Sequence, residues 1–409
     1  MLSTPRHPLL ASCACALFLW GCAGDYVART RSIRQAYEAE KYDAALAELG
    51  RQEKEPGKDR LLYLMDRGMV LHAAQRYEES IKVLAEADRL AKELDVVSVS
   101  EEAHVLLSNE RERHYRGEDF EKLMISVLQA LNYARLDKDE DALVEVRRVN
   151  ERLTKMVRDE KKPYEQLAIA RYLGGVLYED QGNADSAFID YWAAYKLQPK
   201  LGALADPLVR LARETAREDA YRELRKSFPD VSDASLAPNE GQLLVLVEAG
   251  RSPEKGRTTR EAQPGNIIDI PVYVDRGAPP IVAVTVGQLT RRTVAVTNLR
   301  DVARIHLNER VGRMIGQQIA QAAVKAGVAA GVGAATKSAG LGALAFLALT
   351  MLNAPDLRSW LSLPATFELA RFRLPAGPHT VRVDAAGRVT EHPVEVRPGR
   401  VSLLLLRRY

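Results

Sequence analysis

One recurring spacing constrains this chain more than any other feature. Gly175, Ala187 and Ala194 are small residues set among the bulky Tyr178, Phe188, Tyr191 and Tyr195. Two helices approach closely only where one lacks a side chain, so small residues mark a crossing and aromatics fill the space beside it. Gln181-Gly182-Asn183 lies between them, and Gly and Asn tolerate the left-handed conformation that ends a helix. Leu167–Pro199 therefore reads as helix, tight turn and second helix, stopped at Pro199. The same separations recur at Gly68, Ser80 and Ala87, and again at Ala130, Ala142 and Val149. A degenerate copy runs through Ile33, Ala45 and Gln52. One hairpin cannot bury its apolar face alone, so the copies are expected to stack.

The layout resembles a tetratricopeptide repeat (TPR), a helix–turn–helix unit of roughly 34 residues. The copies are unevenly spaced, with extra segments around Val96–Asp119 and Lys155–Pro163. Residues 22–228, poor in Pro and rich in Ala, Leu, Glu, Arg and Lys, are expected to form this helical domain. The resemblance implies a solenoid whose concave face holds a partner protein. Arg147 and Arg148, with Arg152 and Lys155, form a basic stripe and are candidate partner contacts. Asn132 is a further candidate: like Glu145, it is polar on an otherwise apolar helix. Such residues either bond across the helix pair or face solvent.

The front of the chain has a short basic start, then an apolar run from Leu9 to Trp20 that is too short to span a bilayer. It ends Leu19-Trp20-Gly21-Cys22, which resembles a bacterial lipobox. The expectation is a signal peptide over 1–21 and a lipid-modified Cys22, with more than one acyl chain to give stable anchoring. Cys13 and Cys15 would leave with the signal, so no disulfide framework remains. No Asp follows Cys22 directly, and Asp25 is the first. The resemblance to bacterial lipoproteins therefore implies an outer-membrane anchor with the body in the periplasm.

Residues 229–240 read as a turn-rich linker, and beyond it the pattern changes. Short apolar runs at 242–248, 267–274, 281–286, 292–297, 367–372, 379–383, 389–396 and 401–406 read as strands. A β-sandwich-like domain over 241–409 is the expectation. It is interrupted by an Ala/Gly-rich helical insertion over 308–354, read as a hairpin packed on the sheet. Gly327 and Gly331 there have the spacing of close helix contacts. The whole is an α+β multidomain architecture.

Phe120-Glu121, Ala130-Leu131-Asn132-Tyr133 and Ala142-Leu143-Val144-Glu145-Val146-Arg147-Arg148 together resemble a family of bacterial TPR-containing lipoproteins. The resemblance returns at Arg358-Ser359-Trp360-Leu361-Ser362-Leu363-Pro364 and Leu374-Pro375-Ala376-Gly377-Pro378-His379. It implies the architecture above and carries no activity with it.

No catalytic constellation, metal-ligand spacing or cofactor motif emerges. A formal net charge of +3 over 409 residues, with both signs interspersed, gives no nucleic-acid footprint. The expectation is a lipid-anchored scaffold, not an enzyme, that binds a protein of the envelope machinery and is able to form homo-oligomers. Two alternatives stand beside it. One is a self-associating, membrane-interacting component driven by Ala326–Leu352. The other is a carbohydrate-binding β-module in which Trp360 stacks on a sugar.

Overall fold

A computed structural model describes residues 26–52, 57–100, 113–158, 167–263, 266–336, 338, 340 and 355–409. The signal-like run, Cys22 and 341–354 lie outside the described residues. After a first turn α1 (Tyr26–Arg29), the helices come in antiparallel pairs. These are α2 (Arg31–Glu38) with α3 (Tyr42–Gln52), α4 (Arg60–Ala73) with α5 (Tyr77–Ser100), and α6 (Asp119–Arg135) with α7 (Asp139–Arg158). Next come α8 (Ala168–Asp180) with α9 (Ala184–Leu197), then α10 (Ala205–Glu214) with α11 (Glu218–Ser227). Each pair also packs on the next, which makes a TPR-like solenoid.

The spacing rule has a steric cause. A Cβ on Gly175 would sit 2.5 Å from the Tyr191 ring, and one on Gly68 would lie 2.6 Å from Leu84 Cγ. The Ser80 hydroxyl donates to the Gly68 carbonyl at 2.7 Å, so that crossing is bonded as well as close. The α8–α9 turn has Gly182 at φ +73°, and Asn183 caps α9 by accepting from the Ser186 amide at 3.1 Å. The last pair carries the same separation at Ala212 and Leu224, both fully buried, with a Leu at the position where the other copies have Ala or Ser.

The second half is a sandwich of two four-stranded sheets. The inner sheet has the order β10–β1–β7–β6, with β1 (Glu240–Ala249), β6 (Val294–Asn298), β7 (Thr366–Pro375) and β10 (Val401–Arg408). The outer sheet has the order β5–β4–β8–β9, with β4 (Val282–Val286), β5 (Leu289–Arg292), β8 (Gly377–Ala385) and β9 (Arg388–Val396). A separate hairpin pairs β2 (Glu254–Gln263) with β3 (Asn266–Val274).

The strand alternation of side chains divides the inner sheet between two cores. Leu243, Val245, Val247 and Phe372 face the outer sheet. Leu244, Leu246, Leu369 and Leu405 face the helices and belong to one continuous core with them. The molecule thus has three layers: helices, inner sheet, outer sheet. β1 is buried on both faces, which is why it reads as an unbroken apolar run.

Two expectations are corrected, and one strand, β2, is new. The run at 292–297 is two strands, because Thr293 breaks it and β5 and β6 enter different sheets. The polar strand β2 had no alternation to mark it. The insertion does not begin at 308 or turn back within its described part. A single helix, α12, runs from Leu299 to Thr336 and packs on β3 through its first turns.

Candidate functional site

The face formed by the first helix of each pair is covered by the chain's own inner sheet, and buried polar groups bridge that seam. At one end, Glu179 of α8 meets Arg371 of β7 at 2.5 Å and also pairs with Arg210 of α10. Gln242 of β1 donates to Glu179 at 2.8 Å and accepts from Arg371 at 2.5 Å. Arg371 also donates to Tyr191 at 2.7 Å, and Tyr191 donates to Glu179 at 2.7 Å. Burial alone would raise the Glu179 pKa, but Arg371 and Arg210 outweigh it and hold the carboxyl down at about 2.

In the middle of the seam, His72 of α4 lies between Asn132 and Glu248. Its Nδ1 donates to Asn132 Oδ1 at 2.5 Å and its Nε2 faces Glu248 Oε1 at 3.1 Å. Asn132 passes the chain on by donating to Ser80 at 2.9 Å. With an oxygen acceptor beside each ring nitrogen, the surroundings favour the doubly protonated imidazole. Burial would lower its pKa, yet Glu248 and Asn132 together raise it.

At the far end, Ser362 donates to Asp66 at 2.6 Å and the Trp360 amide donates to Glu121 at 2.7 Å. Glu121 also accepts from Tyr115 at 2.5 Å and, in a capping box, from the Glu118 amide. Burial, with Glu118 close by, pushes Glu121 up to about 7. Glu118 itself pairs with Lys255 and Arg310, which outweigh burial and hold it well below the usual carboxylate range.

These positions correct two of the candidate contacts. Asn132 is fully buried and spends its amide on His72 and Ser80, so it is a bond across helices and not a partner contact. Trp360 is 0% exposed, with its indole N–H on Ser362 at 2.9 Å, so no glycan can stack on it. Arg147 and Arg148 do lie on an exposed face of α7. Arg148 pairs with Glu145, which is buried, and Arg152 reaches Asp88 of α5 at 2.7 Å, so part of the stripe ties neighbouring pairs together. The repeat residues Gly68, Ser80, Ala87, Ala130, Ala142, Gly175, Ala187 and Ala194 sit in α4 to α9; the five alanines belong to the same helical core and Ser80 is fully buried.

A second feature had no signal in the sequence. Where β9 and β10 pass from one sheet to the other they diverge without pairing, and a groove opens along β10. One part, about 360 Å³, lies beside Val401–Leu404, walled by Val394, Leu173, Val176 and the α6–α7 turn. A second, about 220 Å³, lies beside Leu405–Arg408, walled by His392, Thr390 and the α4–α5 turn. Arg135 donates to the Leu403 carbonyl at 2.5 Å and Asp180 accepts from the Val401 amide at 2.7 Å.

Among the described residues, no group of three or more His, Cys, Asp or Glu side chains is arranged to hold a metal ion. No described helix is long and apolar enough to cross a membrane.

No protein-family model and no curated protein matches the chain. Among solved structures it is similar to the RS-1 form of MamA, at 14% identity and a TM-score of 0.34, over 49% of this chain and 93% of that one. A tetratricopeptide repeat protein from Parabacteroides merdae aligns at 15% identity and a TM-score of 0.32, over 50% and 67% of the two chains. The MSR-1 form of MamA aligns at 12% identity and a TM-score of 0.31, over 50% and 94%.

Proposed function

We propose that this chain is a lipid-anchored periplasmic scaffold, a binding protein and not an enzyme, which holds a partner in the assembly of the bacterial envelope. The observation that supports this best is the shared core: helices and inner sheet are built as one frame. The inner face of the array is therefore spent on the chain's own sheet. The surfaces left for a partner are the outward helix faces, where Arg147 lies, and the groove along β10. The anchor rests on the signal-like run and Cys22.

The test is fractionation of cells carrying the wild-type chain or Cys22→Ser, with mass spectrometry of the N-terminus and crosslinking of the intact envelope. The reading expects a diacylated Cys22, release of the variant from membranes, and a crosslinked envelope protein. An unmodified Cys22, or a wild-type chain that crosslinks to nothing, overturns it.

A second reading, self-association, is favoured by α12. This helix of 38 residues is about 57 Å long, and a Cβ at Gly312, Gly316, Gly327 or Gly331 would meet open space. Val328 is 46% exposed. Sedimentation of a Gly327→Leu variant separates this from the first reading.

A further inference from the structure

We propose that the free edge of β10 is a docking site for an extended peptide of another protein, which adds as a strand beside β10. The proposal rests on the scaffold reading and names the form its partner takes.

Backbone parity carries the argument. β10 runs parallel to β1, and the Gln242 amide bonds the Arg400 carbonyl while the Gly250 amide bonds the Arg408 carbonyl. Even-numbered residues of β10 therefore point their backbone groups at β1, and odd-numbered residues point theirs at the groove. The odd residues are Val401, Leu403, Leu405 and Arg407. The Val401 amide and the Leu403 carbonyl are capped by Asp180 and Arg135. The Leu403 amide and both backbone groups of Leu405 have no partner among the described residues. Buried backbone groups in a sheet are almost always paired, so an open edge lined by a groove is a template for a strand. Two buried guanidinium Nε donors on the groove walls, on Arg135 and Arg408, also have no acceptor among the described residues.

The charges give the peptide a direction. Beside Val401 the groove carries Asp137, Asp139, Asp180 and Glu395 against Arg135 and Arg397, and Arg400 at its mouth pairs with Asp180. Beside Arg408 it carries Arg388, Arg407 and Arg408 against Glu40 and Glu248. The first end is acidic and the second cationic. The matching peptide is basic beside Val401 and acidic beside Arg408. Its alternate apolar side chains pack on Leu403, Val394 and Leu173.

The test uses the full chain and a synthetic peptide of about eight residues, alternating Val with Ser, with Lys at one end and Glu at the other. Hydrogen exchange at the Leu403 and Leu405 amides is the readout. The peptide is expected to slow both by about tenfold or more at saturation. A twin with Pro at the pairing positions cannot donate to a ladder and is expected to have no effect. Glu395→Lys alters an exposed side chain and is expected to weaken binding several-fold, most at low salt. Equal slowing by the Pro twin, or no slowing at all, overturns the proposal. So does a dimer of this chain that the peptide dissolves, because the occupant is then a second copy. If an envelope partner crosslinks and the peptide does not compete with it, strand addition fails while the scaffold reading stands. If the partner is displaced, both stand.

Discussion

The two faces of the inner sheet bury similar side chains and are held in different ways. The face toward the outer sheet is an apolar core of Val, Leu, Ala and Phe, and the buried charges on the same face, Glu368 and Arg408, bond the hydroxyls of Thr366 and Thr390. The face toward the helices has an apolar core too, but Glu179–Arg371, His72–Glu248 and Asp66–Ser362 run through it. Apolar burial stabilises without direction, whereas a buried polar pair costs desolvation and holds only in one geometry. The difference suggests that the outer face supplies cohesion and the seam fixes how helices and sheet register.

The largest test of that contrast is Arg371→Met. It removes one of the two guanidinium partners of the buried Glu179 carboxylate, leaving Arg210, and takes the donor from Gln242, and is expected to cost about 3–5 kcal/mol in denaturant unfolding. Leu243→Ala opens a cavity on the apolar face, with an expected loss of about 2–4 kcal/mol. Hydrogen exchange should separate the two variants. Arg371→Met is expected to loosen α8 and β7 selectively, and Leu243→Ala the β1–β4 side. Equal patterns would break the contrast. Gly175→Ala forces a methyl against Tyr191, a group that also serves the seam, and is expected to cost about 1–3 kcal/mol.

A pH series sharpens the contrast further, because the seam holds buried groups whose pKa values are shifted in both directions. The folded His72 pKa is raised, so its stabilisation is complete below about 6.5 and is lost as pH rises through the raised value. The groups facing it are Glu248, Asn132, Tyr77 and, further off, Arg407. Glu121 acts in the same sense, losing its contribution as pH rises from about 4.3 through about 7. Glu179 is depressed, so its contribution is present above about 4.3 and lost as pH falls toward 2. Seam amides are thus expected to exchange faster on both sides of about pH 5, beyond the intrinsic rate, while the apolar face does not respond. His72→Gln should reduce the alkaline-side loss to the part that Glu121 supplies. The smallest effect is expected from Arg147→Ala, within about 0.5 kcal/mol, since Arg147 lies on an exposed face.

How much of this the sequence disclosed follows from the range of the interactions. The helix pairs were legible because a crossing at Gly68 or Gly175 excludes a side chain within a few turns of chain, and that leaves a local mark. Most strands were legible from alternation. β2 was not, because its sequence has no large apolar side chain to alternate and its buried Lys255 is a charge that pairs with Glu118. The parallel pairing of β1 with β10 and the partner of each seam charge depend on residues far apart in the chain, as with His72 and Glu248. Asn132 and Trp360 looked like contacts for a partner because a polar or aromatic residue reads the same whether it faces a protein outside or the chain's own sheet. The groove along β10 arises from how two sheets diverge, which no single segment encodes.

The central claim is that helices and inner sheet are one frame, with the array's inner face filled by the chain itself. Native-state hydrogen exchange of the full chain in rising denaturant tests it most directly. The account predicts that amides of α8 and of β7 converge on the same opening free energy and shift together in Arg371→Met. Helix amides that exchange fully while β1 and β7 stay protected would contradict it.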